Sequence, residues 1–146
     1  AVKIALPDLA AMEAFGARIA DKLRPGDVVA LSGSLGTGKT TIARAILSRL
    51  GHIGEVPSPT YNILETYSDL RLAVVHADFY RLEDPSEVEE LGLDEYREGA
   101  VLLAEWPDCA GGFAHEAGCL EIALEKVGDG REAVVTPGSS WQSRWP

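Results

Sequence analysis

The chain has 146 residues, 46% of them hydrophobic and 25% charged, a size and balance that suit a single globular domain and exclude a disordered chain. No apolar run reaches membrane-spanning length, and Pro7, Asp8 and Glu13 interrupt the N-terminus as a secretory signal, so a cytoplasmic protein is expected. A formal net charge of −10 repels the phosphates of DNA and RNA, so any work on nucleic acid is expected to run through a protein partner. The two cysteines, Cys109 and Cys119, lie outside any CxxC or histidine spacing and read as thiols.

In chain order, Val2–Leu6 reads as a short strand. Asp8 caps a helix with Leu9, Met12, Phe15, Ile19 and Leu23 along one face. Arg24 to Asp27 is a turn, and Val28–Leu31 has the length and apolarity of a buried strand. Thr40–Leu50 reads as a helix stopped by Gly51, and the proline-bearing stretch His52–Thr60 as a loop. Tyr61–Tyr67 and Arg71–Asp78 read as strands joined by a tight turn at Ser68-Asp69. Asp84-Pro85-Ser86-Glu87 resembles a capping box opening a helix towards Leu91, and Leu93–Glu98 a further helical turn. Ala100–Glu105 is another buried strand. Cys119–Val127 and Arg131–Thr136 flank Gly128-Asp129-Gly130, a hairpin signal.

Helices alternating with buried strands, together with hairpins, predict an α/β fold: a P-loop NTPase-like three-layer sandwich with a mixed central sheet over residues 1–137, followed by an irregular tail at 138–146. In the tail, Trp141, Arg144 and Trp145 are expected to fold back on the domain rather than dock on a partner.

The segment Gly33-Ser34-Leu35-Gly36-Thr37-Gly38-Lys39-Thr40 fits G-x-x-x-x-G-K-[ST] at every fixed position, between a buried strand and a helix as that motif requires. Glycines let the backbone curl so that successive N–H groups face phosphates, and the helix start adds its positive end. Lys39 is then placed for the β- and γ-phosphates, Thr40 for Mg²⁺ and Thr41 for the α-phosphate. The nucleotide-binding set is accordingly Ser34, Leu35, Gly36, Thr37, Gly38, Lys39, Thr40 and Thr41. Adenine selectivity is not legible, although Pro7–Leu9 is placed to cover a base.

Such a site needs carboxylates to hold Mg²⁺ and to orient a nucleophile, and open α/β sheets place them at strand ends. Asp78 and Glu105 each close an apolar strand. Acting together, one lies nearer Mg²⁺ and the other nearer the attacking water, with the assignment open. His76 shares a strand face with Asp78 and reads as a packed, hydrogen-bonded histidine. No arginine is evidently aimed at the γ-phosphate, so turnover by the chain alone is expected to be weak.

Ser58-Pro59-Thr60, His76-Ala77-Asp78-Phe79-Tyr80-Arg81-Leu82 and Glu105-Trp106-Pro107 follow the loop in that order. This series resembles the bacterial TsaE (YjeE) ATPases, over roughly Leu6 to Pro107. The resemblance implies Mg-ATP binding with slow, partner-dependent hydrolysis beside TsaB–TsaD proteins, in the placement of threonylcarbamoyl on tRNA adenosine. It further implies Thr60 on a switch-like loop near the γ-phosphate, Asp78 and Glu105 as acidic site residues with Glu105 a Mg²⁺ ligand, and Arg81 and Trp106 along the site or partner face. Lys39, Thr60, Asp78 and Glu105 form the catalytic set, and Thr40, Asp78 and Glu105 the metal set. Ser34 and Thr37 depart from residues common in that family, at positions the motif leaves free.

Rival functions are a small-molecule kinase, a GTPase and a non-catalytic nucleotide-gated binding module. A kinase needs an acceptor pocket and an arginine-rich lid, for which no insertion is evident. A GTPase lacks its Asn-Lys-x-Asp segment here, and Asp108-Cys109-Ala110-Gly111 is a weak D-x-x-G match.

Overall fold

A computed structural model describes residues 1–57 and 63–145. The elements in order are β1 (Val2–Leu6), α1 (Leu9–Lys22), β2 (Val28–Ser32), α2 (Lys39–Arg49), β3 (Leu64–Tyr67), β4 (Val74–Asp78), α3 (Glu87–Leu91), α4 (Leu93–Arg97), β5 (Val101–Glu105), β6 (Cys119–Val127) and β7 (Gly130–Pro137), with 3-10 turns at Pro107–Ala110 and Ser139–Trp141.

The seven strands form one sheet in the order β1-β7-β6-β2-β5-β4-β3. β6, β2, β5 and β4 run parallel in its middle. β7 pairs antiparallel with β6, and β1 with β7, at one edge; β3 pairs antiparallel with β4 at the other. The sheet is therefore mixed, as the pattern of buried strands and hairpins predicts. Side-chain alternation splits the core. Val29, Leu31, Val101, Leu103, Leu120 and Ile122 pack with α1 and α2, while Val28, Ala30, Val75, Ala77, Leu102 and Ala104 pack with Phe79, Leu93 and Phe113 on the opposite face. No helix among the described residues is long and apolar enough to cross a membrane.

Asp8 caps α1 as expected, its Oδ1 accepting from the Ala11 N–H at 2.8 Å. Gly16 sits where α1 crosses α2: a Cβ there would lie 2.5 Å from that of Ala45, so the two helices close only over a glycine. α2 ends at Leu50, and Gly51 takes the left-handed conformation.

Three local expectations are corrected. Leu9 is 61% exposed and leaves the buried stripe that Met12, Phe15 and Ile19 continue, because the first turn of α1 projects beyond the core. Tyr67 pairs with Val74, so Ser68–Ala73, not a two-residue turn, joins β3 to β4. Arg71 draws that connection towards the helices, its N–H donating to Leu50 O at 3.0 Å and its guanidinium to Ala20 O at 2.9 Å. Asp84 makes a local turn, accepting from the Ser86 N–H at 2.9 Å. That bond goes to the second residue after Asp84, α3 starts only at Glu87, and no side-chain bond joins Asp84 and Glu87 among the described residues, so the reciprocal capping box does not form.

The C-terminal segment folds back. Trp141 is fully buried and donates from Nε1 to Gly118 O at 2.8 Å, and Trp145 meets Phe15 edge-on at 5.9 Å. Arg144 forks onto the Asp27 carboxylate at 2.7 and 2.8 Å, with both side chains less than a tenth exposed. This clamp sits where β2 begins, at the far end of the sheet from the Gly-rich loop. Both cysteines are free thiols, and burial pushes that of Cys119 up to about 12.

Removing one partner of a buried charge pair strands the other, at a cost of roughly 3–5 kcal/mol. Arg144→Ala is therefore expected to lower unfolding free energy by about that amount in denaturant titrations, while ligand binding at the distant loop stays unchanged.

Candidate active site

Four elements meet at the carboxyl ends of the central parallel strands. β2 runs out through Ser32 into the loop Gly33–Gly38, and α2 leaves that loop at Lys39. β4 ends at Asp78 and β5 at Glu105, and the two carboxylates are paired neighbours in the register. The cleft they share has a volume of about 520 Å³. Its lining includes Gly36, Gly38, Lys39, Thr40 and Thr41 from the loop and helix, Asp78 and Glu105 from the strand ends, and Trp106.

The loop's conformation explains its glycines. Gly33 has φ +141°, and a Cβ there would lie 2.6 Å from Leu124 O and 2.7 Å from Thr37 Oγ1. Gly38 has φ +103° and turns the chain directly into α2. Thr37, one of the positions the motif leaves free, is buried and donates from Oγ1 to Ser34 O at 2.8 Å, closing the loop on itself. Lys39 Nζ donates to Gly33 O at 2.8 Å and Ser34 O at 2.9 Å, and stands 4.5 Å from the centroid of the Trp106 ring. Burial lowers the Lys39 ammonium below its ordinary value, against the opposing pull of Glu105 and Asp78.

Glu105 is 2% exposed, and its two oxygens have different partners. Oε1 accepts from the Thr40 hydroxyl at 2.8 Å, and Oε2 meets His76 Nε2 at 2.6 Å. His76 is fully buried, as a packed histidine should be. Asp78 is less enclosed. Its Oδ1 accepts from the Tyr80 N–H at 3.0 Å, and burial, more than the nearby Glu105 charge, raises its carboxyl above the ordinary 3.8. Trp106 takes a left-handed backbone (φ 53°), rare for a bulky residue, and its ring packs on Tyr80 at 4.7 Å. That kink at the end of β5 aims the indole across Lys39.

Of the site residues expected from sequence, Leu35, Gly36, Gly38, Lys39, Thr40, Thr41, Asp78 and Glu105 line this cleft, whereas Ser34 and Thr37 bond to each other within the loop and do not line it. Thr60 lies outside the described residues, together with Ser58, Pro59, Tyr61 and Asn62. Among the described residues no group of three or more His, Cys, Asp or Glu could hold a metal ion. The chemistry available to a cation is instead a hydroxyl and two carboxylates. Leu9, expected over the base, lines a neighbouring cleft of about 670 Å³ that shares Thr41 but includes neither Lys39 nor the carboxylates; at the loop's own cleft α1 contributes Met12.

Two arginines line the cleft: Arg81, which the family resemblance puts along the site or partner face, and Arg131, which nothing in the sequence placed there. Arg131 opens β7 and reaches back to the loop, donating from Nε to Thr37 O at 3.1 Å and from Nη2 to Gly36 O at 3.0 Å. Its only signal in the sequence is its place beside the Gly128-Asp129-Gly130 turn, which fixes the hairpin but not where the hairpin lies.

Residues 6–133 match the family model described as "Threonylcarbamoyl adenosine biosynthesis protein TsaE". The chain belongs to the TsaE family. The "tRNA threonylcarbamoyladenosine biosynthesis protein TsaE" of Haemophilus influenzae is 38% identical over 86% of this chain and 83% of that protein. The protein of the same name from Bacillus subtilis is 40% identical over 77% and 70%. That of Rickettsia felis is 41% identical over 62% of this chain, which spans about half (53%) of that longer relative. Among solved structures, the crystal structure of Bacillus subtilis YdiB superposes with a TM-score of 0.79 at 30% identity, covering 97% of this chain and 89% of that one. The TsaE match continues past Pro107, where the motif resemblance stops, and takes in the β6–β7 turn with Arg131.

Burial of Asp78 has a consequence for stability. A carboxyl raised in the folded state favours folding when protonated and opposes it when ionised. The penalty is absent below the unfolded value, grows as pH rises through the window above 3.8, and stays constant beyond the folded value. Asp78→Asn, which can still accept from Tyr80, is expected to raise the melting temperature at pH 7. In thermal unfolding, that gain should shrink as the pH falls to about 3.5.

Proposed function

We propose that this chain binds and hydrolyses Mg-ATP in the cytoplasm, as the ATPase component of the tRNA threonylcarbamoyladenosine machinery, acting beside TsaB–TsaD-type partners. One observation carries the reading: Lys39, Thr40, Asp78 and Glu105 converge on a single cleft at the mouth of the Gly-rich loop. The family membership and the names of its relatives supply the pathway.

The donor set fits the cation. Mg²⁺ is a hard cation that takes oxygen ligands, and a hydroxyl and two carboxylates are the oxygen donors that side chains of this cleft offer at the strand ends and helix start. Thr40 Oγ1 and Glu105 Oε1 are 2.8 Å apart. When bound, the ion would neutralise charge on the β- and γ-phosphates. Thr40 and Glu105 would hold it, directly or through its waters. Lys39, already over the loop mouth, would give its hydrogens to the β- and γ-phosphates. The backbone N–H groups of Gly36 to Thr41 would cradle the remaining oxygens, helped by the start of α2. Asp78, more open to the cleft and with its carboxyl raised, would orient the water for in-line attack on the γ-phosphorus and take up its proton. By the family resemblance, Thr60 would act near the γ-phosphate.

Slow turnover by the chain alone follows from how its arginines are used. Arg131 spends its donors on the carbonyls of the loop and of Gly130, so a complementing charge from a partner is the natural accelerator. With a net charge of −10, contact with tRNA is left to the partners.

The test is phosphate release by the purified chain, alone and with TsaB, TsaD and tRNA. Slow release alone and stimulation in the full mixture are expected. Lys39→Ala should lower the rate by about 10²-fold or more, and an unchanged rate would remove the site assignment. Phosphoryl transfer to a metabolite with no phosphate released would favour a kinase. A Glu105→Ala chain that supports tRNA modification without hydrolysis would favour a nucleotide-gated module.

A further inference from the structure

We propose that His76 is a positioning residue that sets the orientation of the Glu105 carboxylate, and through it the coupling between Mg²⁺ and nucleotide. The inference rests on the Mg-ATP reading above. His76 lies in the middle of β4, fully buried, two register positions before the Asp78–Glu105 pair, and it reaches diagonally to Glu105. A carboxylate only accepts, so the 2.6 Å contact requires the hydrogen on His76 Nε2. Nδ1 has no partner among the described residues, which leaves Glu105 as the ring's one polar anchor.

The arrangement divides the carboxylate's work. A glutamate at a strand end has three rotatable side-chain torsions, and a buried one left without donors is costly. The imidazole is stiff, packed inside the sheet layer and unable to follow a moving partner. By taking Oε2, it turns Oε1 to Thr40 at 2.8 Å, the hydroxyl and carboxylate that would hold the magnesium ion. Without the His76 donor, Oε2 is unpaired in a buried place, and the carboxylate is free to turn away from the Thr40 hydroxyl. Groups that hold a metal ligand by its second atom commonly contribute 10–100-fold to metal affinity. His76 is not among the residues that line the cleft, so nucleotide binding without the ion should not depend on it.

The experiment measures the Kd of a fluorescent ATP analogue in EDTA and in Mg²⁺, and takes the ratio as the magnesium enhancement. His76→Gln keeps an N–H near the position of Nε2; His76→Asn is polar but too short to reach. The expected result is that the Asn variant loses about 10-fold of the enhancement, with its EDTA Kd within about twofold of wild type, while the Gln variant retains it. In a Glu105→Gln background, His76→Asn should have no further effect on the ratio, because His76 acts through that carboxylate. Circular dichroism melts establish that each variant is folded. Equal losses in EDTA and Mg²⁺, an unchanged ratio in the Asn variant, or an undiminished effect without the Glu105 carboxylate would each overturn the assignment. A wild-type chain whose nucleotide affinity ignores magnesium would instead remove the Mg-ATP reading itself.

Discussion

A carboxylate enclosed at the end of a buried strand governs the architecture of this site. Glu105 is shielded from water, and an isolated charge in such a place is untenable, so its surroundings are built to satisfy it. One oxygen is met by the first turn of α2 and the other by the middle of β4. Three elements distant in sequence are thereby fixed to one another at the mouth of the loop. The parallel register makes this possible: β2, β5 and β4 end level, so what each presents at its carboxyl end falls into one cleft.

The loop is held from both sides of that cleft. From below, Thr37 and Lys39 tie back to the carbonyls of Gly33 and Ser34. From the edge of the sheet, Arg131 holds the carbonyls of Gly36 and Thr37. A glycine-rich segment is conformationally loose by itself, and these side-chain bonds offset the entropy of ordering it. The β6–β7 hairpin contributes more than a closed sheet edge, because it carries the cation that stiffens the loop.

Much of this was legible in the sequence because local chemistry determined it. The motif from Gly33 to Thr40 requires a strand before it and a helix after it, and β2 and α2 occupy those places. Asp78 and Glu105 could be paired from sequence because each terminates an apolar run, which marks a strand end whatever the register. What escaped was long-range. The Gly128-Asp129-Gly130 turn pairs β7 with β6, but nothing near Arg131 indicates that this hairpin lies beside β2 and brings the guanidinium to a loop more than ninety residues earlier. The Ser68-Asp69 turn was misread for the same reason, since Arg71 is drawn to carbonyls on α1 and α2. Leu9 shows the limit of periodicity: it has the right spacing for a buried stripe, but the stripe ends where the core does.

The distribution of charge completes the physical picture. The chain is strongly acidic, and Glu83, Asp84, Glu89 and Glu90 lie exposed around α3, yet the cleft gathers Lys39, Arg81 and Arg131 beside only two carboxylates. An acidic body with a cationic cleft repels polyanions at long range and still accepts a small anion at short range, where aimed donors outweigh a screened net field. On the proposed reading, selection for a nucleotide over a nucleic acid is a matter of distance. The repulsion would act over the whole surface of a tRNA, whereas a triphosphate short enough to enter the cleft would meet chiefly the loop and Lys39. For a member of a family named for work on tRNA, that reading would leave the polymer to another protein's surface and the phosphate chemistry to this one.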